Sequence, residues 1–248
     1  MTVAPASTAT IAQFFEQVTG RIQAWADPVG AVFADPRLPP SRREVDAVVQ
    51  PLAVELLQDA TLPLAGAGFV AAPSVLNDAQ WHMAWWQGTT AERLLSVIED
   101  VGKICARREW FTVPLQTRRP HIAGPYVDYL CTDEYTMTIT TPIMSSGQPV
   151  GVAGADILVA SLESLLEEAL SAIHPEAVLV NRHGRIVAAA DSHFAAGTLM
   201  APGWPGQEQN APLSLRSAAF GSETVQWQPI PGLPLAVIYP DYIRSQKN

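Results

Sequence analysis

Residues 134–157 read EYTMTITTPIMSSGQPVGVAGADI. Two runs of aromatic, β-branched and small apolar residues, 134–143 and 149–157, flank the tight turn Ser145-Ser146-Gly147. Such runs on either side of a serine–glycine turn predict an antiparallel hairpin. The same texture recurs outward from it. GAGFVAAP at 66–73 is a short apolar run closed by proline, WHMAWWQG at 81–88 is aromatic-rich and stops at a glycine, and AGPYVDYL at 123–130 reads as another strand. Arg93 to Ile98 is ambiguous, and its length favours a strand.

Helical periodicity brackets this sheet. Ile11, Phe14, Phe15, Val18, Ile22 and Trp25 recur at helical spacing behind candidate caps Ser7 and Thr8, and this helix is expected to end near Asp27-Pro28. Residues 34–40 are proline-rich and read as a loop. Ser41 with Glu44 forms a capping box ahead of Val45, Val48, Val49, Leu52 and Leu56, with a kink or break expected at Pro51. Ser161 is the expected cap of a helix carrying Leu162, Leu165, Leu166, Leu170 and Ile173, ended by His174-Pro175. Beyond it, AVLVNRHGRIVAAAD turns at Asn181 to Gly184, a Gly/Pro-rich loop covers 201–212, and TVQWQPI and LPLAVIY add two strands. Hairpin-linked strands with helices set apart give an α+β architecture with antiparallel sheets. The expected organisation is an N-terminal helical region over 1–61, a first sheet module over 62–174 and a smaller second module over 175–248.

Composition narrows the function classes. The chain has 248 residues, 48% hydrophobic and 16% charged, enough for a real core and unlike a disordered chain. A formal charge of −9 argues against phosphate-driven nucleic-acid binding and against a polybasic membrane contact. No apolar run is long enough for a membrane helix, and MTVAPASTATIAQFFEQV lacks a basic n-region, so a cytoplasmic location is expected. Cys105 and Cys131 fit no disulfide framework or CxxC spacing and are expected as reduced, partly buried thiols. His82, His121, His174, His183 and His193 show no metal-ligand spacing and read as turn or surface residues; no cofactor is expected. There is no G-x-S-x-G elbow and no P-loop, and Gly66-Ala67-Gly68 lacks the third glycine of a dinucleotide loop.

One constellation carries chemistry. Arg108-Glu109-Trp110 is followed, sixteen residues after the tryptophan, by Tyr126-Val127-Asp128, and later by Asp156. A zwitterionic amino acid needs a cationic fork for its carboxylate and acceptors for its ammonium. Arginine presents paired planar donors, the two aspartates supply acceptors, the tyrosine hydroxyl does either, and the tryptophan offers a wall and one N–H. Each residue also has an ordinary reading: solvated arginines, a core tyrosine, a turn-capping aspartate. Trp81 and Trp85 share a strand face and Trp86 takes the other, serving either as sheet core or, through Trp85, as part of the pocket wall.

The chain from RREWF through GPYVDYL to GADI resembles the double Cache family of PAS-like sensor domains of chemoreceptors and sensor kinases. The resemblance covers nearly the whole chain and implies N-terminal helices followed by two PAS-like modules, the first ligand-binding. It also resembles the family's amino-acid-binding subgroup, with its spaced Tyr, Arg-x-Trp, Tyr-x-Asp and Asp motif. That resemblance implies that Arg108 and Trp110 hold a ligand carboxylate and that Tyr126, Asp128 and Asp156 hold its ammonium. Lys103 stands where the motif has its first tyrosine; it either adds a second cation or points to solvent. The expected function is a sensor that binds a small amino-acid-like molecule and signals in trans to a cytoplasmic regulator or enzyme partner. A homodimer through the amphipathic N-terminal helix would follow by analogy. Other readings are a binder of an amine, γ-amino acid or organic acid, an enzyme acting on a small amino acid or amide, and a scaffold with a vestigial pocket.

Overall fold

The structure is a computed structural model and describes residues 6–94, 104–129, 133–200 and 225–240. Three helices lead: α1 (Ala6–Gln23), α2 (Ala26–Val32) and α3 (Arg42–Leu57). Ser7 and Thr8 already lie within helix α1 and so do not stand at the expected cap position ahead of it. Helix formation resumes at Ala26 and passes through Pro28, contrary to the expected end there. In a first turn the missing proline N–H has no intrahelical partner to lose. The Ser41 capping box is formed in both directions with Glu44. Helix α3 runs on through Pro51, so the expected break does not occur.

The described strands form two antiparallel sheets. Strands β1 (Gly66–Ala71), β2 (Met83–Gln87), β3 (Glu92–Arg93), β4 (His121–Val127), β5 (Tyr135–Ser145) and β6 (Gln148–Leu158) make a six-stranded sheet in the order β3-β2-β1-β6-β5-β4. The predicted hairpin is β5–β6. Ser146 and Gly147 have φ of 47° and 74°, the two positive values that a right-twisted two-residue turn requires. Strand β3 covers Glu92–Arg93; of the strand expected over 93–98, residues 95–98 lie outside the described residues. Between β3 and β4 stands a helix that the periodicity did not show, α4 (Glu109–Thr117). Helix α5 (Val159–Ser171) starts directly after β6, placing Ser161 within its first turn and not at its cap. Strands β7 (Val178–Asn181), β8 (Ile186–Ala189), β9 (Val225–Pro229) and β10 (Leu235–Pro240) form the second sheet, in the order β8-β7-β10-β9. Residues 201–212, the expected Gly/Pro-rich loop, lie outside the described residues.

The chain divides into two compact units. One holds Glu16–Ala123 and Met137–Leu158. The other holds the described residues up to Phe15, Gly124–Thr136 and those from Val159 onward. In the first unit, one face of the sheet packs against helices. Phe69 of β1 meets Phe33, which follows α2, with ring centroids 6.0 Å apart, and Ser145 Oγ donates to the Phe33 carbonyl at 2.9 Å. Gly30 permits α2 to approach the strand closely, since a Cβ there would stand 2.8 Å from the Met144 carbonyl oxygen. In the second unit the sheet buries Val178, Val180, Ile186, Met200, Val225, Ala236 and Ile238 as one apolar cluster. Asn181 Oδ1 accepts from the His183 and Arg185 amides and so holds the turn from β7 to β8. Among the described residues, no helix is long and apolar enough to cross a membrane.

Candidate functional site

The face of the first sheet turned away from α2 and α3 has a different chemistry. In register, Gly66 pairs with Gln87 on one side and Asp156 on the other, and Gly68 pairs with Trp85 and Gly154. Opposed residues share a face. This face therefore carries Trp85 from β2, Gly66 and Gly68 from β1, and Gly154 and Asp156 from β6. Thr138 and Thr140 of β5 join it, because the Thr138 hydroxyl donates to Asp156 Oδ1 at 2.7 Å and the Thr140 methyl lies over Gly154. Met137 and Ile139, between and beside them, go to the opposite face, where both are fully buried.

Glycine inside a strand often marks the close approach of another group. Here the group is the Trp85 indole. A Cβ at Gly66 would stand 2.6 Å from indole Nε1, one at Gly68 2.8 Å from Cε3, and one at Gly154 3.4 Å from Cη2. The ring lies across a floor cleared by three glycines on two strands. Trp85 is 2% exposed, and its Nε1 is buried with no hydrogen-bond partner among the described residues.

Helix α4 brings the arginine and tryptophan of the motif. Arg108 is its N-cap residue, extended and without a side-chain capping bond, and Trp110 lies in the first turn. Pro114 removes the N–H that would bond the Trp110 carbonyl. The Thr140 hydroxyl takes its place, donating to that carbonyl at 2.9 Å. A strand threonine thus fixes the turn that presents Trp110, which is 7% exposed and meets Phe111 edge-on. Arg108 is half-buried, and its guanidinium has no ion-pair or hydrogen-bond partner among the described residues. Glu109 is engaged by His121, Nε2 to Oε1 at 2.9 Å.

The expected site residues fall as follows. Arg108, Trp110, Asp156 and Trp85 belong to one unit, linked through Thr138, Thr140 and the glycine floor. Tyr126, the penultimate residue of strand β4, and Asp128, just beyond it, belong to the other unit. Asp128 is buried, its amide donating to the Glu134 carbonyl and its carbonyl accepting from the Asp133 amide. Lys103 lies outside the described residues, as does Cys131; Cys105 is buried and outside any disulfide.

Sequence reasoning missed Thr138, Thr140 and the three glycines. The signal was present in TMTIT, where threonine alternates with methionine and isoleucine at the period of a strand. Two histidines are corrected as well. His121 is buried and paired with Glu109, and the His82 ring is buried against Asp46, Nε2 to Oδ1 at 2.8 Å; neither is a surface residue.

Residues 77–164 match the family model described as "Methyl-accepting chemotaxis protein-like, first PDC sensor domain". No curated protein matches the chain. Among solved structures, the chain is similar to the ligand-binding domain of the Pseudomonas aeruginosa PAO1 amino acid chemoreceptor PctC in complex with GABA. That match has 18% identity and a TM-score of 0.57, covering 95% of this chain and 96% of that one. It is also similar to the ligand-binding domain of the Pseudomonas fluorescens chemoreceptor CtaA in complex with L-valine, at 18% identity and a TM-score of 0.60, covering 95% and 93%. The expected resemblance to Cache-type sensor domains is borne out in the family model and in the α+β fold.

Proposed function

We propose that this protein is a ligand-binding sensor for a small amino-acid-like molecule, taken up on the glycine and threonine face of the first sheet. One observation carries the reading. The same unit holds half-buried Arg108, whose guanidinium has no ion-pair or hydrogen-bond partner among the described residues, two positions before Trp110, and a buried Asp156 carboxylate on the sheet. Opposite charges supported on separate elements suit the two ends of a zwitterion. The second sheet supports the assignment by contrast, since the described cluster on it is aliphatic. The matched chemoreceptor domains are amino-acid complexes, which points the same way.

In this reading Arg108 receives the carboxylate through its paired N–H groups and the Trp110 ring walls that end. Asp156 accepts from the ammonium, held in place by the Thr138 hydroxyl. Tyr126 and Asp128 follow the motif and are tested by substitution. A γ-amino acid is the second reading, favoured by the GABA complex of the P. aeruginosa domain. The output partner, in this proposal, is a separate regulator or enzyme engaged when ligand is bound.

A thermal-shift screen of amino acids, amines and organic acids tests the function, because a ligand that binds only the folded state raises its apparent stability. The expected result is a shift by an amino acid that is lost in both Arg108→Ala and Asp156→Asn. A shift that survives Arg108→Ala unchanged sinks the site assignment.

A further inference from the structure

The indole N–H of Trp85 makes no hydrogen bond with the described residues. It is a full donor, sealed from solvent, with no acceptor among the described residues. A buried donor left without a partner is costly, so a buried one without an acceptor calls for a reason. Loose packing is not the reason here. The three-glycine floor seats the ring tightly, and its Nε1 edge lies over Gly66. Gly66 is the register partner of Asp156. Opposed Cβ positions on paired strands are about 5 Å apart. The unused donor and the Asp156 acceptor therefore lie within the span of one small ligand.

We infer that Trp85 is the specificity-determining residue of this site, its indole N–H donating to a side-chain oxygen of an amino acid whose ammonium is on Asp156. This rests on the amino-acid reading above and narrows it. The ligand class is an amino acid with a carbonyl or carboxylate oxygen a few bonds from its ammonium, such as asparagine or aspartate. An aliphatic side chain of the same shape leaves the indole N–H unpaired. Sites built around a hydrogen bond reject the analogue that lacks it, because a buried polar group is then stranded.

The test uses the full chain with its tryptophans labelled with ¹⁵N at the indole nitrogen, titrated with L-asparagine, L-aspartate and the near-isosteric L-leucine. Trp85→Phe assigns the Trp85 indole signal. The expected result is binding of asparagine or aspartate, with a downfield shift of that indole proton. Trp85→Phe should weaken this binding by about tenfold or more while changing leucine affinity by about threefold at most. Gly66→Ala is the second variant, for use if Trp85→Phe does not fold. Its methyl would stand 2.6 Å from Nε1, so the indole must shift while its N–H is retained, and the same preference should erode. Binding that depends on Arg108 but leaves the Trp85 signal unmoved overturns this inference and leaves the sensor reading standing. Leucine binding as well as asparagine, or equal loss of both in Trp85→Phe, also overturns it. If no amino acid binds, both readings fall.

Discussion

Asp156 shows how one carboxylate is committed by its neighbours. It is 4% exposed, its backbone carbonyl accepts from the Ala65 amide, and Thr138 donates to its side chain. Thr138→Val keeps the shape and deletes the donor. The expected cost is about 1.5–3 kcal/mol of stability, read by urea denaturation, because a hydrogen bond to a charged group is lost. His82 makes a different prediction. Burial lowers its pKa below the ordinary histidine value of 6.5; the nearby Asp46 carboxylate pulls the other way, and the charges of Arg93 and Arg42 assist the lowering. Asp46 also pairs with Arg93, so its negative charge is shared. The folded protein thus prefers the neutral ring, while the unfolded chain takes up its proton first. The stabilising contribution is complete above the unfolded value and is lost as pH falls through the depressed folded value. Denaturation midpoints should therefore drop more steeply on acidification in the wild type than in His82→Gln.

At the scale of elements, α4 and β5 are joined by a trade. Pro114 frees the Trp110 carbonyl from the helix and Thr140, fully buried, satisfies it. Thr140→Val should cost about 1–3 kcal/mol in chemical denaturation and weaken ligand binding as the Trp110 turn loosens. Thr140→Ser, which keeps the hydroxyl, should recover most of both. This is also where the sequence stopped being readable. A nine-residue helix with a proline at its sixth position breaks the rule by which helices are recognised, and the compensating hydroxyl is remote in sequence. Helix α2 escaped for a related reason, since Pro28 reads as a stop unless the start at Ala26 is known. The β5–β6 hairpin was legible because its signals are local: alternating side chains and a turn whose serine and glycine accept positive φ. Arg108, Trp110 and Asp156, picked out by their spacing, fall in one unit. The floor under Trp85 was not legible, because three glycines acquire a common meaning only through strand register.

At the scale of the whole molecule, the two units keep different chemistries. The second sheet carries an aliphatic cluster, and Ile238→Ala within it should cost about 2–5 kcal/mol. Hydrogen exchange should report that loss in β7 and β10, with β1 and β6 of the first sheet protected as before. The first sheet divides its labour between its faces, and β2 shows this most sharply. Trp85 lies on the glycine floor, while the adjacent Trp86, equally buried, receives the Arg93 guanidinium 5.3 Å from its ring centroid, and Arg93 in turn pairs with Asp46 of α3. Neighbouring residues of a strand cannot move independently, because one backbone carries both. A change to the glycine floor is therefore also a change to the seam that fastens the strand to its helix. In the proposed sensor, selectivity and anchorage are, along these two tryptophans, a single adjustable part.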